Sequence, residues 1–168
     1  MNTPHSNQST GFDEALVKVF VNLEPADWHR YRTESLWAEP LGNNLYRIRN
    51  VPFYAMGVSN EDIVRADLKN DNLFLQRVDT RGGHSTYRFF TMEGISDEQW
   101  IPYWEPLEKL GCTYERGTAR LFAVDVPPQV DIYKAYELLD LGEKAGVWGF
   151  QEGHCGHVIS GASGALAE

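Results

Sequence analysis

The chain reads as an α+β fold: a small, curved β-sheet or barrel over residues 15–80, then a βαββαβ unit over residues 84–157. Three observations predict this. Up to Arg81-Gly82-Gly83 the apolar runs are short, and the clearest of them alternate with polar residues, the period-two signature of half-buried strands. Beyond it, two segments carry apolar residues at one-face helical spacing, set between strand-like runs. Finally, five Trp, eight Tyr and eight Phe in 168 residues are ample for a core.

The elements follow in order. Ala15 to Leu23 places Val17, Val19, Val21 and Leu23 on one face and Lys18 and Asn22 on the other. A loop with Pro25 and Trp28 leads to a second strand, Glu34 to Glu39, which Pro40 is expected to close. Gly42-Asn43-Asn44 is a turn signal, so Leu45 to Arg49 should complete a hairpin. At Asn50-Val51-Pro52-Phe53 the proline restricts its neighbour, and a bend is expected that folds Phe53 and Tyr54 over the sheet end. Ile63 to Ala66 and Leu73 to Val78 read as two short strands joined by a polar loop, Asp67 to Asn72. After the glycines, Ser85 to Met92 is a strand. Ser96 followed by Gln99 makes a capping box for a helix that runs to Leu110 and ends at Gly111. Cys112 to Glu115 and Ala119 to Val126 flank an Arg116-Gly117 turn. Asp131 caps a second helix, with Ile132, Ala135, Tyr136 and Leu139 along its apolar stripe. Gly146 ends it, and Val147 to Phe150 is the last strand. This order is the split-βαβ, ferredoxin-like arrangement. Residues 1–14 and 158–168 read as polar, disordered tails.

Composition narrows the function classes. No apolar run approaches the length needed to span a bilayer, and the N-terminus lacks the basic and apolar stretches of a secretory signal. Two cysteines, Cys112 and Cys155, make no disulfide framework, so a cytoplasmic location is expected. The net charge of −9 is unevenly spread: residues 1–88 hold 11 acids and 10 Lys/Arg, whereas residues 89–168 hold 13 and 5. Such a surface repels nucleic-acid phosphates and attracts basic proteins.

Several motifs act as a set. Leu36-Trp37-Ala38-Glu39-Pro40-Leu41-Gly42, Tyr46-Arg47, Asn50-Val51-Pro52-Phe53 and Gly57-Val58 stand in the first half; Gly83-His84-Ser85-Thr86, Arg88 and Trp148 through His154 stand in the second. Together they resemble the bacterial domain of unknown function DUF4265, over roughly residues 15–157. The resemblance implies that both halves belong to one unit, and it brings no activity with it.

Four groups of residues are candidate sites. In His84-Ser85-Thr86 a histidine adjoins a serine, but neighbours on a strand point to opposite faces, so His84 is badly placed to activate Ser85. His154, Cys155 and His157 offer three metal-ligand side chains within four residues, without the second pair that structural zinc sites use. Trp37, Phe53 and Tyr54, with Trp28, and with Arg47, Arg49 and His84 as polar groups, are candidates for a pocket at the seam between the halves, where ligand sites often lie. Against that pocket stands simple packing, with the arginines pairing to Glu39 across the hairpin. Last, Glu98, Glu105 and Glu108 on the first helix and Glu137, Asp140 and Glu143 on the second would form one negative face if both helices cover the same side of the sheet.

No catalytic set emerges and no cofactor is expected. The favoured reading is a non-enzymatic acidic protein that docks on a basic protein partner, in the manner of an immunity or antitoxin protein. The alternative is a small-molecule sensor or enzyme with its pocket at the seam. Neither nucleic acid nor membrane is expected as a partner.

Overall fold

The protein was analysed as a computed structural model that describes residues 15–25 and 28–160. The N-terminal tail and residues 161–168 of the C-terminal tail fall outside that range. Residues 158–160, expected in the disordered tail, are held instead: the Ser160 N–H donates to the Tyr133 hydroxyl at 2.8 Å.

Five strands, β1 (Val17–Asn22), β2 (Thr33–Gly42), β3 (Leu45–Ile48), β4 (Ile63–Lys69) and β5 (Asn72–Thr80), close into a barrel. Successive strands pair antiparallel, and a parallel contact, Val19 opposite Leu73 and Phe20 opposite Phe74, joins β1 to β5. The alternation seen in the sequence fills the interior: Val19, Val21, Leu36, Ala38, Ile48, Val64 and Ala66 point inward. Two expectations need correcting. Pro40 does not end β2, which continues to Gly42 with Pro40 opposite Tyr46. Strand β1 stops opposite Ala38, so no β1 partner requires the N–H that proline lacks. Nor is Asp67 to Asn72 a loop. The strands run on to Lys69 and from Asn72, joined by Asn70 and Asp71 at φ 48° and 63°. Two successive positive φ values are what a tight two-residue hairpin turn requires, and Asn and Asp tolerate them.

The second part forms a four-stranded antiparallel sheet of β6 (Ser85–Thr91), β7 (Thr113–Arg116), β8 (Leu121–Val126) and β9 (Trp148–His154), in the order β7-β8-β6-β9. Helices α1 (Asp97–Leu110) and α2 (Ile132–Lys144) both pack on one face of it. Their Trp100, Trp104, Leu107, Ile132, Ala135 and Leu139 meet Tyr87, Phe89, Phe122, Val124 and Trp148. The Ser96 N–H donates to the Gln99 side chain at 2.8 Å, and Gly111 ends α1 at φ 109°. The Asp131 carboxylate accepts the Tyr133 and Lys134 N–H groups at the start of α2. Gly142 lies directly against the Trp148 ring, whose Nε1–H donates to the Leu139 carbonyl at 2.8 Å. β9 is longer than expected, reaching His154. No helix among the described residues is long and apolar enough to cross a membrane.

Candidate functional site

The face of the second sheet away from the helices meets the barrel through the segment 49–62. This seam is packed with buried Val51, Ala55, Val58, Ser59, Asp62, Thr86, Arg88 and Asp125. Its centre is polar. The Glu34 carboxylate accepts three successive backbone N–H groups, from Phe53 at 2.6 Å, Tyr54 at 2.9 Å and Ala55 at 2.7 Å. The Arg88 guanidinium, 1 % exposed as a residue, donates to the Ala55 carbonyl. It lies where any β-carbon on Gly153 would collide with it, only 2.6 Å away. Ser59 and Thr86 share a hydroxyl bond of 2.7 Å, and the Gly57 N–H donates to the Gly153 carbonyl.

Of the expected pocket residues, the seam brings in only part. Trp37 projects outward, with the Lys18 ammonium 5.1 Å from its ring. Arg47 lies 3.6 Å from Glu39, its partner across the hairpin, and Arg49 pairs with Glu61 at 2.7 Å. The Phe53 ring lies against Gly117. Tyr54 gathers with Trp28, His29 and Tyr31 in an aromatic group, and burial raises the pKa of its phenol. His84 is at the seam, its Nδ1 2.8 Å from Asp125 Oδ1. These residues therefore scatter instead of lining one hollow, because the β2 and β3 positions of Trp37 and Arg47 face the barrel exterior.

Ser85 does meet an imidazole, though not that of His84. His157 Nδ1 lies 2.6 Å from Ser85 Oγ, while its Nε2 lies 3.0 Å from the Pro127 carbonyl. The carbonyl can only accept, so Nε2 carries a hydrogen, and in that tautomer Nδ1 accepts from the serine. Ser85 is fully buried and its Oγ also accepts the Gly156 N–H. It therefore ties down the segment after β9 and is closed to a substrate. Among the described residues no three His, Cys, Asp or Glu side chains are grouped to hold a metal ion. His154, whose pKa burial and then Arg81 hold below the usual value, Cys155 and His157 are not grouped as ligands.

The acidic helix face is also altered. Glu98, Glu105 and Glu108 on α1 are exposed and, among the described residues, have no ion-pair partner. On α2, however, Lys134 pairs with Glu137 and Lys144 with Asp140. Glu143 turns to the sheet, where its carboxylate accepts the Phe150 N–H at 3.3 Å.

What the sequence did not reveal is the surroundings of β9. A hollow of about 490 Å³ lies between α2, the sheet and the segment after it, lined by Tyr87, Tyr133, Tyr136, Glu137, Glu152 and Cys155, among others. Its lining is largely apolar, three tyrosines together with Ile132 and Ile159, with two carboxylates at the rim. Burial, and next the Glu152 charge, raise the Tyr87 phenol well above its ordinary value, so it stays protonated and donates to Glu152 at 3.4 Å. A second hollow, of about 560 Å³, is lined by Trp28, Phe90, Glu143, Gly149, Phe150 and Gln151. Phe90, Gly149 and Gln151 stand on the opposite face of the sheet from Tyr87, as their registers require.

The geometry defines a mixed α+β protein: a closed five-stranded barrel joined to a four-stranded sheet that two helices cover, with hollows beside the sheet's last strand. The chain belongs to the family of the domain of unknown function DUF4265, which matches residues 34–150 and so begins at the buried Glu34. A crystal structure of a hypothetical protein from Neisseria gonorrhoeae is similar in fold, with a TM-score of 0.73 and 16% identity, covering 86% of this chain and 98% of that one. At that identity the likeness speaks for the fold alone. No curated protein matches the chain.

Proposed function

We propose that this is a non-enzymatic binding protein whose ligand is a basic protein partner. The observation that carries the reading is the apolar, tyrosine-bearing hollow beside β9 with Glu137 and Glu152 at its rim. Aromatic surface supplies contact area at low entropic cost, and carboxylates beside it favour Lys or Arg in the partner. The excess of acids beyond residue 88 would speed encounter with such a partner. An immunity or antitoxin role, acting in the cytoplasm by covering a basic effector, fits this chemistry. So does the fold reading: strand order β7-β8-β6-β9 with both helices on one face supports a ferredoxin-like second half. That arrangement leaves the last strand at an edge, free to meet another chain. A seam pocket for a small molecule is less well supported, since Trp37 and Arg47 face elsewhere and the seam centre is packed.

The reading is tested by electrostatics. Association of the protein with its partner, recovered by crosslinking in the native host and then purified, should slow about tenfold or more between low and physiological salt. A partner with an acidic or neutral surface, or association insensitive to salt, would refute it.

A further inference from the structure

Strand β9 ends the order β7-β8-β6-β9, so its outer edge has no strand neighbour among the described residues. The Phe150 N–H points to that outer side, because it donates to Glu143 of α2 and not to β6. By the two-residue period of a strand, Trp148 and Glu152 present their backbone groups to the same side, but Trp148 is fully buried, so the accessible edge is Phe150 and Glu152. Such an edge is a template for another extended chain unless something blunts it, and here a single side chain, Glu143, holds one donor through a long bond.

The first hollow lies on the helix face of this edge, and the second wraps around it, from Phe150 and Glu143 on the helix side to Phe90, Gly149 and Gln151 on the other. The Tyr87, Tyr133, Tyr136 hollow would take side chains sent to the helix face, and the Trp28, Phe90, Gln151 part of the second hollow those sent to the barrel face. An added strand sends alternate side chains to the two faces, so each would find a largely apolar recess. Carboxylates stand at both: Glu137 and Glu152 on one, Glu143 on the other, and neither lining includes a Lys or Arg.

We infer that the outer edge of β9 is a strand-addition site for an extended segment of a partner protein that alternates apolar and basic side chains. Its backbone would pair with Phe150 and Glu152, its carbonyl replacing the Glu143 carboxylate on the Phe150 N–H. Glu143, released from that bond, would then face a basic side chain. This inference rests on the basic-partner reading above and names the surface and mode of binding, main-chain pairing for affinity and recesses for specificity.

The test uses the full chain. Random linear peptides are displayed and selected against it, and the strongest synthetic binders are titrated calorimetrically. Selected peptides should be rich in Lys or Arg at alternate positions. Phe150→Pro removes an outward N–H without removing a donor to β6, and should weaken binding about tenfold or more. Because that substitution also removes a packed ring, Glu152→Lys and Glu137→Lys, both at exposed positions, serve as second variants and should weaken binding by a similar factor. Glu105→Lys and Glu108→Lys on α1 should leave it unchanged. If the α1 variants weaken binding and the β9 variants do not, the strand-addition site is wrong while the basic-partner reading stands. If selection returns acidic or uncharged peptides, or none, both fail. A dimer in light scattering that Glu152→Lys dissociates would assign the edge to a second copy and overturn the inference.

Discussion

Glu34 shows how a single residue joins the two halves. It is the second residue of β2, on the same face as Leu36 and Ala38, so its carboxylate points inward where an apolar side chain would be expected. Three backbone N–H groups meet it there. Removing it strands all three in a buried setting, so Glu34→Ala should cost about 3–5 kcal/mol in urea unfolding. Glu34→Gln keeps one acceptor oxygen and should cost roughly 1–3 kcal/mol. Equal stability of Glu34→Ala and wild type would show that the carboxylate does not organise the bend. The parity was visible in the sequence, since Glu34, Leu36 and Ala38 alternate, yet nothing local told which donors it would meet 19 to 21 residues later. The cysteines separate in the same way. Cys112 is buried and its thiol is pushed up to about 12 by burial, whereas Cys155 is half-buried at the hollow. At pH 8, iodoacetamide should label Cys155 first, as peptide mass spectrometry would report; faster labelling of Cys112 would contradict this placement.

Elements were legible where their signals are local. The capping box at Ser96, the left-handed Gly111 and the Asp131 cap all place helix ends from adjacent residues. The Asn70-Asp71 turn was also local, but the mostly polar run from Asp67 to Asn72 concealed it; the pair of residues able to take positive φ was the informative feature. Contacts between elements were not legible, and Gly142 illustrates why. In an isolated helix, alanine is favoured over glycine by about 1 kcal/mol. Here the Trp148 ring occupies the space of the missing β-carbon and is anchored to the Leu139 carbonyl, so it cannot simply withdraw. Gly142→Ala should therefore destabilise the fold, by about 1–3 kcal/mol, reversing the sign that propensity predicts. A rise in melting temperature for this variant would mean that α2 and β9 pack less closely than described.

At the scale of the molecule, charge counting located the acidic half but not the hollows beside β9. Ion pairs on α2 neutralise Glu137 and Asp140 in part, and Glu143 is turned to the edge of the sheet. The surface proposed for a partner is built from α2, β9 and the loop carrying Trp28, segments separated by more than a hundred residues at their extremes. Closure of the barrel by β1 and β5, and the bond from Ser85 to His157, are likewise products of long-range pairing that no local pattern announces. Backbone amide exchange, read residue by residue by NMR with and without a selected basic peptide, tests the central claim most directly. Exchange at Phe150 and Glu152 should slow by about tenfold or more on binding, with α1 unaffected. Unchanged exchange along β9, with protection appearing on α1 or on the barrel, would contradict it.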